Sequence, residues 1–123
     1  MNYQEINKKN ISKWENTLKY LVDILEKENI PYYLSASGLH YILGEDVYPY
    51  DIDLFMSKEN VRKIYEVLKE YSTSEIHTWE DTPYIEFQGE YNGIPFEICE
   101  WEEEPTSLEE IIFKDITVKN KKS

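Results

Sequence analysis

The chain of 123 residues has a single cysteine, a single arginine, a single alanine and only four glycines. One cysteine, Cys99, excludes an intrachain disulfide and any metal site built from several thiolates. Arg62 is the only arginine and the formal net charge is −12. Such a surface repels nucleic acid backbones and argues against duplex binding. No apolar run approaches the ~18–20 residues of a membrane span. Residues 1–8 lack the apolar stretch of a secretion signal. A soluble, cytoplasmic protein without a membrane partner is expected.

What is present belongs to a folded chain. Aromatics make up 15% of the residues and hydrophobics 41%, whereas a disordered acidic segment is poor in aromatics. The length fits one domain spanning 1–123. An acidic surface also suits a cationic partner, such as Mg²⁺ or a basic small molecule.

Apolar residues at steps of three and four, Ile11 to Leu25, predict a helix over 10–29. Ser12 with Glu15 suggests a capping box, and Asn29-Ile30-Pro31 a stop. A strand over 32–35, a short helix over 37–43 and a loop to Tyr50 follow. Next come an alternating strand over 50–55 and a helix capped by Ser57. Three more strands are predicted over 75–79, 84–91 and 94–101, the last two joined by the hairpin signal Asn92-Gly93. Thr106 or Ser107 should cap a short helix to Phe113, 116–118 should add a strand, and 119–123 should fray. The order predicts an α/β (α+β) fold, a mixed β-sheet with helices packed on one side.

Asp51 and Asp53 interrupt an apolar run. In a strand the side-chain period is two, so both carboxylates project from one face. A divalent cation resolves their repulsion, and hard oxygen ligands favour Mg²⁺ or Mn²⁺. Acidic residues are so frequent that about five acid-x-acid pairs arise by chance. Context raises this pair above the rest. Asp is depleted in strands, and a small-residue turn, Ser35-Ala36-Ser37-Gly38, opens the helix before this one. Helix N-termini present free N–H groups to phosphate. His40 reads as a partly buried structural residue, Cys99 as a small buried one, and Glu102–Glu104 as a solvated turn. His77 has no spacing that pairs it with His40 at a metal.

The run Ser35-Ala36-Ser37-Gly38-Leu39-His40-Tyr41-Ile42-Leu43-Gly44, then six residues, then Asp51-Ile52-Asp53-Leu54, resembles the signature of the nucleotidyltransferase superfamily. The likeness is to the polymerase-beta-like fold, and within it to the lincosamide-type and minimal members. It implies a third carboxylate on a later hairpin strand, which Asn92-Gly93-Ile94-Pro95-Phe96-Glu97-Ile98 assigns to Glu97; Glu86 and Glu100 are the competitors. It further implies catalytic and metal-binding roles for Asp51, Asp53 and Glu97, and nucleotide binding at Ser35, Ala36, Ser37 and Gly38. Ala36 stands where the family pattern usually has glycine, and 45–50 lacks the basic residue many members carry; Lys58 and Lys63 are the substitutes to examine.

The activity implied is Mg²⁺-dependent transfer of an NMP from a nucleoside triphosphate to a hydroxyl of a small-molecule or protein acceptor. The alternative is an inactive or weakly active, antitoxin-like protein that binds a helical partner. Larger members continue into a helical substrate-binding region, so a second copy or a partner protein is expected to complete an acceptor pocket.

Overall fold

The computed structural model describes residues 5–122; residues 1–4, part of the segment read for a secretion signal, and Ser123 lie outside the described residues. Helix α1 (Ile11–Lys27) buries Trp14, Leu18, Leu21, Val22 and Leu25, the stripe its periodicity predicts. It ends on Asn29 in the left-handed region (φ 56°), where the Ile30 N–H bonds back to the Leu25 carbonyl at 2.9 Å. That pairing satisfies a carbonyl the helix end would otherwise leave open.

The Ser12–Glu15 capping box does not form. Asn10 is the first flanking residue and its side chain faces backwards, accepting from the Asn7 N–H at 2.6 Å and donating to the Glu5 carbonyl at 2.7 Å. Glu15 instead accepts from the Tyr41 hydroxyl at 2.7 Å and pairs with Lys114 at 2.8 Å. Contacts that fix distant elements outweigh a local cap here.

Strand β1 (Tyr33–Ser35), helix α2 (Ala36–Ile42), strand β2 (Ile52–Met56) and helix α3 (Lys58–Val67) follow. Ser57 caps α3 through its side chain, which accepts the Asn60 N–H at 3.2 Å. Strands β3 (His77–Thr78), β4 (Ile85–Tyr91) and β5 (Ile94–Glu100) complete a five-stranded sheet in the order β1-β2-β5-β4-β3. β2 and β5 run parallel, and the other neighbours antiparallel. Asn92 (φ 56°) and Gly93 (φ 78°) make the predicted tight turn between β4 and β5, with both central residues left-handed.

One face of this sheet is apolar. Ile52, Leu54, Met56, Phe87, Phe96 and Ile98 are buried with Trp14, Leu18, Val61 and Ile64 of the helices. The fold is the expected mixed sheet with helices on one side. Gly89 sits where this core is tightest: a Cβ there would lie 2.2 Å from the Phe96 ring.

Residues 107–113 are not a helix. They form strand β6 (Ser107–Phe113), paired antiparallel with β7 (Ile116–Lys122) across a two-residue turn with Lys114 at φ 54°. Ser107 with Glu110 resembles a helix start locally, but seven residues pair in register and Ile116 and Val118 reach the core. Tertiary pairing overrides propensity. The same pairing carries β7 to Lys122, so residues 119–122 are ordered strand rather than frayed. The Tyr32 hydroxyl, accepting the Lys119 N–H at 3.2 Å, joins this hairpin to the main body. No helix among the described residues is long and apolar enough to cross a membrane.

Candidate active site

The polar face of the sheet carries one row of side chains. Ser35 on β1 is opposite Asp53 on β2, Asp53 is opposite Glu97 on β5, and Glu97 is opposite Gln88 on β4. Because β2 and β5 are direct neighbours, Asp53 and Glu97 project side by side from strands ~4.8 Å apart. β2 begins at Ile52, so Asp51 stands just before the strand rather than within it.

Two bonds hold Asp51 there. The Trp14 indole N–H donates to the Asp51 carbonyl at 3.0 Å, and Ser37 Oγ accepts the Tyr50 N–H at 3.0 Å. Trp14 is fully buried, so the core itself fixes the backbone of the first aspartate. The outcome is that Asp51, Asp53 and Glu97 each offer a carboxylate oxygen, all within 4.8 Å of one another.

This arrangement strains the charged state. Burial, then the Glu97 charge, pushes the Asp51 carboxyl up from its ordinary range. Burial, then the charges of Asp51 and Glu97, lifts Asp53 further. Asp53 Oδ1 is buried and has no hydrogen-bond partner among the described residues. A buried acceptor without a donor is costly, and these three carboxylates could hold a cation. The donor set, three hard carboxylates, fits Mg²⁺ or Mn²⁺.

The competitors for the third position lie outside this group of three. Glu86 accepts from Gln88 Nε2 at 2.7 Å, and Glu100 accepts the Ile85 N–H at 3.1 Å and lies 3.8 Å from Lys58. Lys63 donates to the Glu28 carbonyl at 3.0 Å.

Two cavities meet at Ala36 and Asp53. The first, about 370 Å³, extends past Phe55, Trp79, Tyr84 and Glu102. The second is bounded by Ser37, Tyr50 and Asp51. Neither lining includes a lysine or arginine. Of the four residues assigned to nucleotide binding, Ser35, Ala36 and Ser37 line these cavities. Gly38 does not: it is buried against Trp14, whose ring would lie 2.9 Å from an added Cβ. Ala36 has φ 60°, a left-handed conformation that glycine adopts without penalty.

His40 is exposed rather than partly buried and pairs with Glu45 at 2.5 Å. Cys99 is half-buried and lines the first cavity, and burial pushes its thiol up. Gln88, Ser74 and Trp14 contribute to the site without any local motif. Only the alternation of 85–91 hinted that Gln88 shares a face with Glu86.

The architecture is a nucleotidyltransferase-like fold by its likeness to a solved structure. A solved structure from Thermotoga maritima, described as a putative nucleotidyltransferase, matches with a TM-score of 0.65 at 19% identity. The match covers 72% of this chain and 56% of that one, so the chain spans little more than half of that protein. No protein-family model and no curated protein sequence matches this chain.

Proposed function

We propose that the protein is a Mg²⁺- or Mn²⁺-dependent nucleotidyltransferase that moves an NMP from a nucleoside triphosphate to a hydroxyl of a small molecule or protein. The observation that carries this is the convergence of Asp51, Asp53 and Glu97 around a buried oxygen with no donor. These three residues would hold the cation, which supplies charge neutralisation and Lewis acidity at the phosphates. Ser37 and the turn at Ala36 border the cavity beside Asp51, and we assign the triphosphate to that side.

Glu97 accepts, or orients, the proton of the acceptor hydroxyl. The acceptor oxygen then bonds to the α-phosphorus, the bond from that phosphorus to the bridging oxygen breaks, and pyrophosphate leaves. The core-anchored backbone of Asp51 and the sheet register of Asp53 and Glu97 fix the geometry before substrate arrives, which is where such catalysis gains most.

A calorimetric titration with Mn²⁺ and each of ATP, GTP, CTP and UTP, followed by a pyrophosphate assay over an acceptor panel, tests this. Binding of a metal–triphosphate pair and release of pyrophosphate are expected. No triphosphate binding would refute the enzyme.

The absence of lysine and arginine from both cavity linings favours a second reading, a partner-binding protein of the same fold without turnover. Binding without pyrophosphate release, together with capture of a helical partner, would select it.

A further inference from the structure

The row that carries Asp53 and Glu97 continues to Gln88, the cross-strand partner of Glu97. Both ends of its amide are engaged. Nε2 donates to Glu97 Oε1 at 2.9 Å and to Glu86 Oε2 at 2.7 Å. Oε1 accepts from Ser74 Oγ at 3.0 Å and lies 2.8 Å from His77 Nε2. Ionised carboxylates only accept, so the end facing the two glutamates must be the nitrogen. Ser74 Oγ also accepts the Gln88 backbone N–H at 2.9 Å, which fixes the hydroxyl that orients the amide. Turning the amide over would aim its oxygen at two carboxylates.

We infer that Gln88 is a positioning residue that holds Glu97, the third metal-binding carboxylate, toward Asp51 and Asp53. This rests on the metal-dependent function proposed above. Glu86 and Glu97 lie on one sheet face as diagonal neighbours across the β4–β5 pair, Glu86 opposite Cys99 and Glu97 opposite Gln88. Left alone they repel, and Glu97 can turn away from Asp53. The amide bonds to both. It ties Glu86 to its own strand and takes up one oxygen of Glu97, leaving the other for the cation.

A neutral donor suits this task better than a lysine. Lysine would bond to the same oxygens but would place a positive charge beside the cation it is meant to assist. Glutamate would add a further negative charge and leave Glu86 and Glu97 without a donor. Ligand-orienting groups of this kind are usually worth about ten- to a hundredfold in metal affinity.

The test is Gln88→Met, which keeps the length and removes every donor, beside wild type and Glu86→Gln. Mn²⁺ affinity is measured by calorimetry and the position of Glu97 by crystal structures without metal. In Gln88→Met, Mn²⁺ affinity should fall about ten- to a hundredfold and Glu97 should leave the Asp51–Asp53 group. In Glu86→Gln the affinity should stay within about twofold of wild type, because Glu86 is not a ligand. Wild-type affinity in Gln88→Met, or a tenfold loss in Glu86→Gln, would overturn the inference. If the wild type binds no Mn²⁺, the metal-dependent function fails, and the crystal structures alone decide Gln88: an unmoved Glu97 overturns its role. Should Gln88→Met not fold, Ser74→Ala, which frees the amide, is expected to weaken Mn²⁺ binding in the same direction, and unchanged binding there refutes the inference.

Discussion

Asp53 holds a carboxylate where water reaches poorly and two other carboxylates stand close. Asp53→Asn removes that charge with almost no change of shape. It should abolish coupled binding of Mn²⁺ and triphosphate while leaving the melting temperature of the metal-free protein unchanged or a few degrees higher. Loss of stability on that substitution would mark Asp53 as structural. The same raised carboxyl fixes a pH dependence. The folded state keeps a proton that the unfolded chain releases, so it binds more protons between the ordinary carboxylate value and the raised one. Stability of the metal-free protein therefore falls as pH rises from about 4 through the raised value of Asp53. Mn²⁺, which binds the ionised form, should flatten that slope, and melting curves over the pH range with and without it read both effects. Ala36 carries a different burden. A left-handed L-residue costs about 1–2 kcal/mol, and glycine escapes this at a smaller entropic cost in the unfolded chain. Ala36→Gly should raise stability by up to about 1 kcal/mol in denaturant unfolding; a loss would show that the methyl group packs.

At the scale of elements, β2 and β5 determine whether the site exists, because their parallel register puts Glu97 beside Asp53, with β4 paired on the far side of β5. Gly89 lets Phe96 fill the core beneath them. Gly89→Ala must displace a fully buried ring, and overpacking of that kind costs about 1–3 kcal/mol. Denaturant unfolding should show that loss, with Mn²⁺ affinity falling as Glu97 shifts. The helices, β2 and the β4–β5 hairpin were legible because each carries its own period and its own punctuation: Leu18 and Leu21, Ile52 and Leu54, Asn92-Gly93. Asp51, Asp53 and Glu97 were legible through their spacing and the family resemblance. Gln88 and Trp14 were not, since their roles depend on partners distant in the chain. β6 was misread because Ser107 and Glu110 imitate a helix start, while the partner that decides the matter, β7, follows the turn. The positive φ of Ala36 was equally invisible, as the sequence shows only an alanine where glycine was expected.

For the whole molecule, a net charge of −12 opposes the approach of a triphosphate. Salt shortens the reach of that field, to about 10 Å at 0.1 M. Association of Mg²⁺–ATP measured by stopped flow should therefore speed up as salt rises, and slowing would mean that a local cationic patch steers the ligand. The sheet order has a consequence in time. Asp51 and Asp53 leave the ribosome well before β5, yet β5 lies against β2 and supplies Glu97. Long-range parallel pairing of this kind forms late, because the loop between must close first. A nascent chain thus displays two aspartates for a while without the strand that completes their site. The three carboxylates come together only after synthesis has passed Glu97 and β5 has docked against β2.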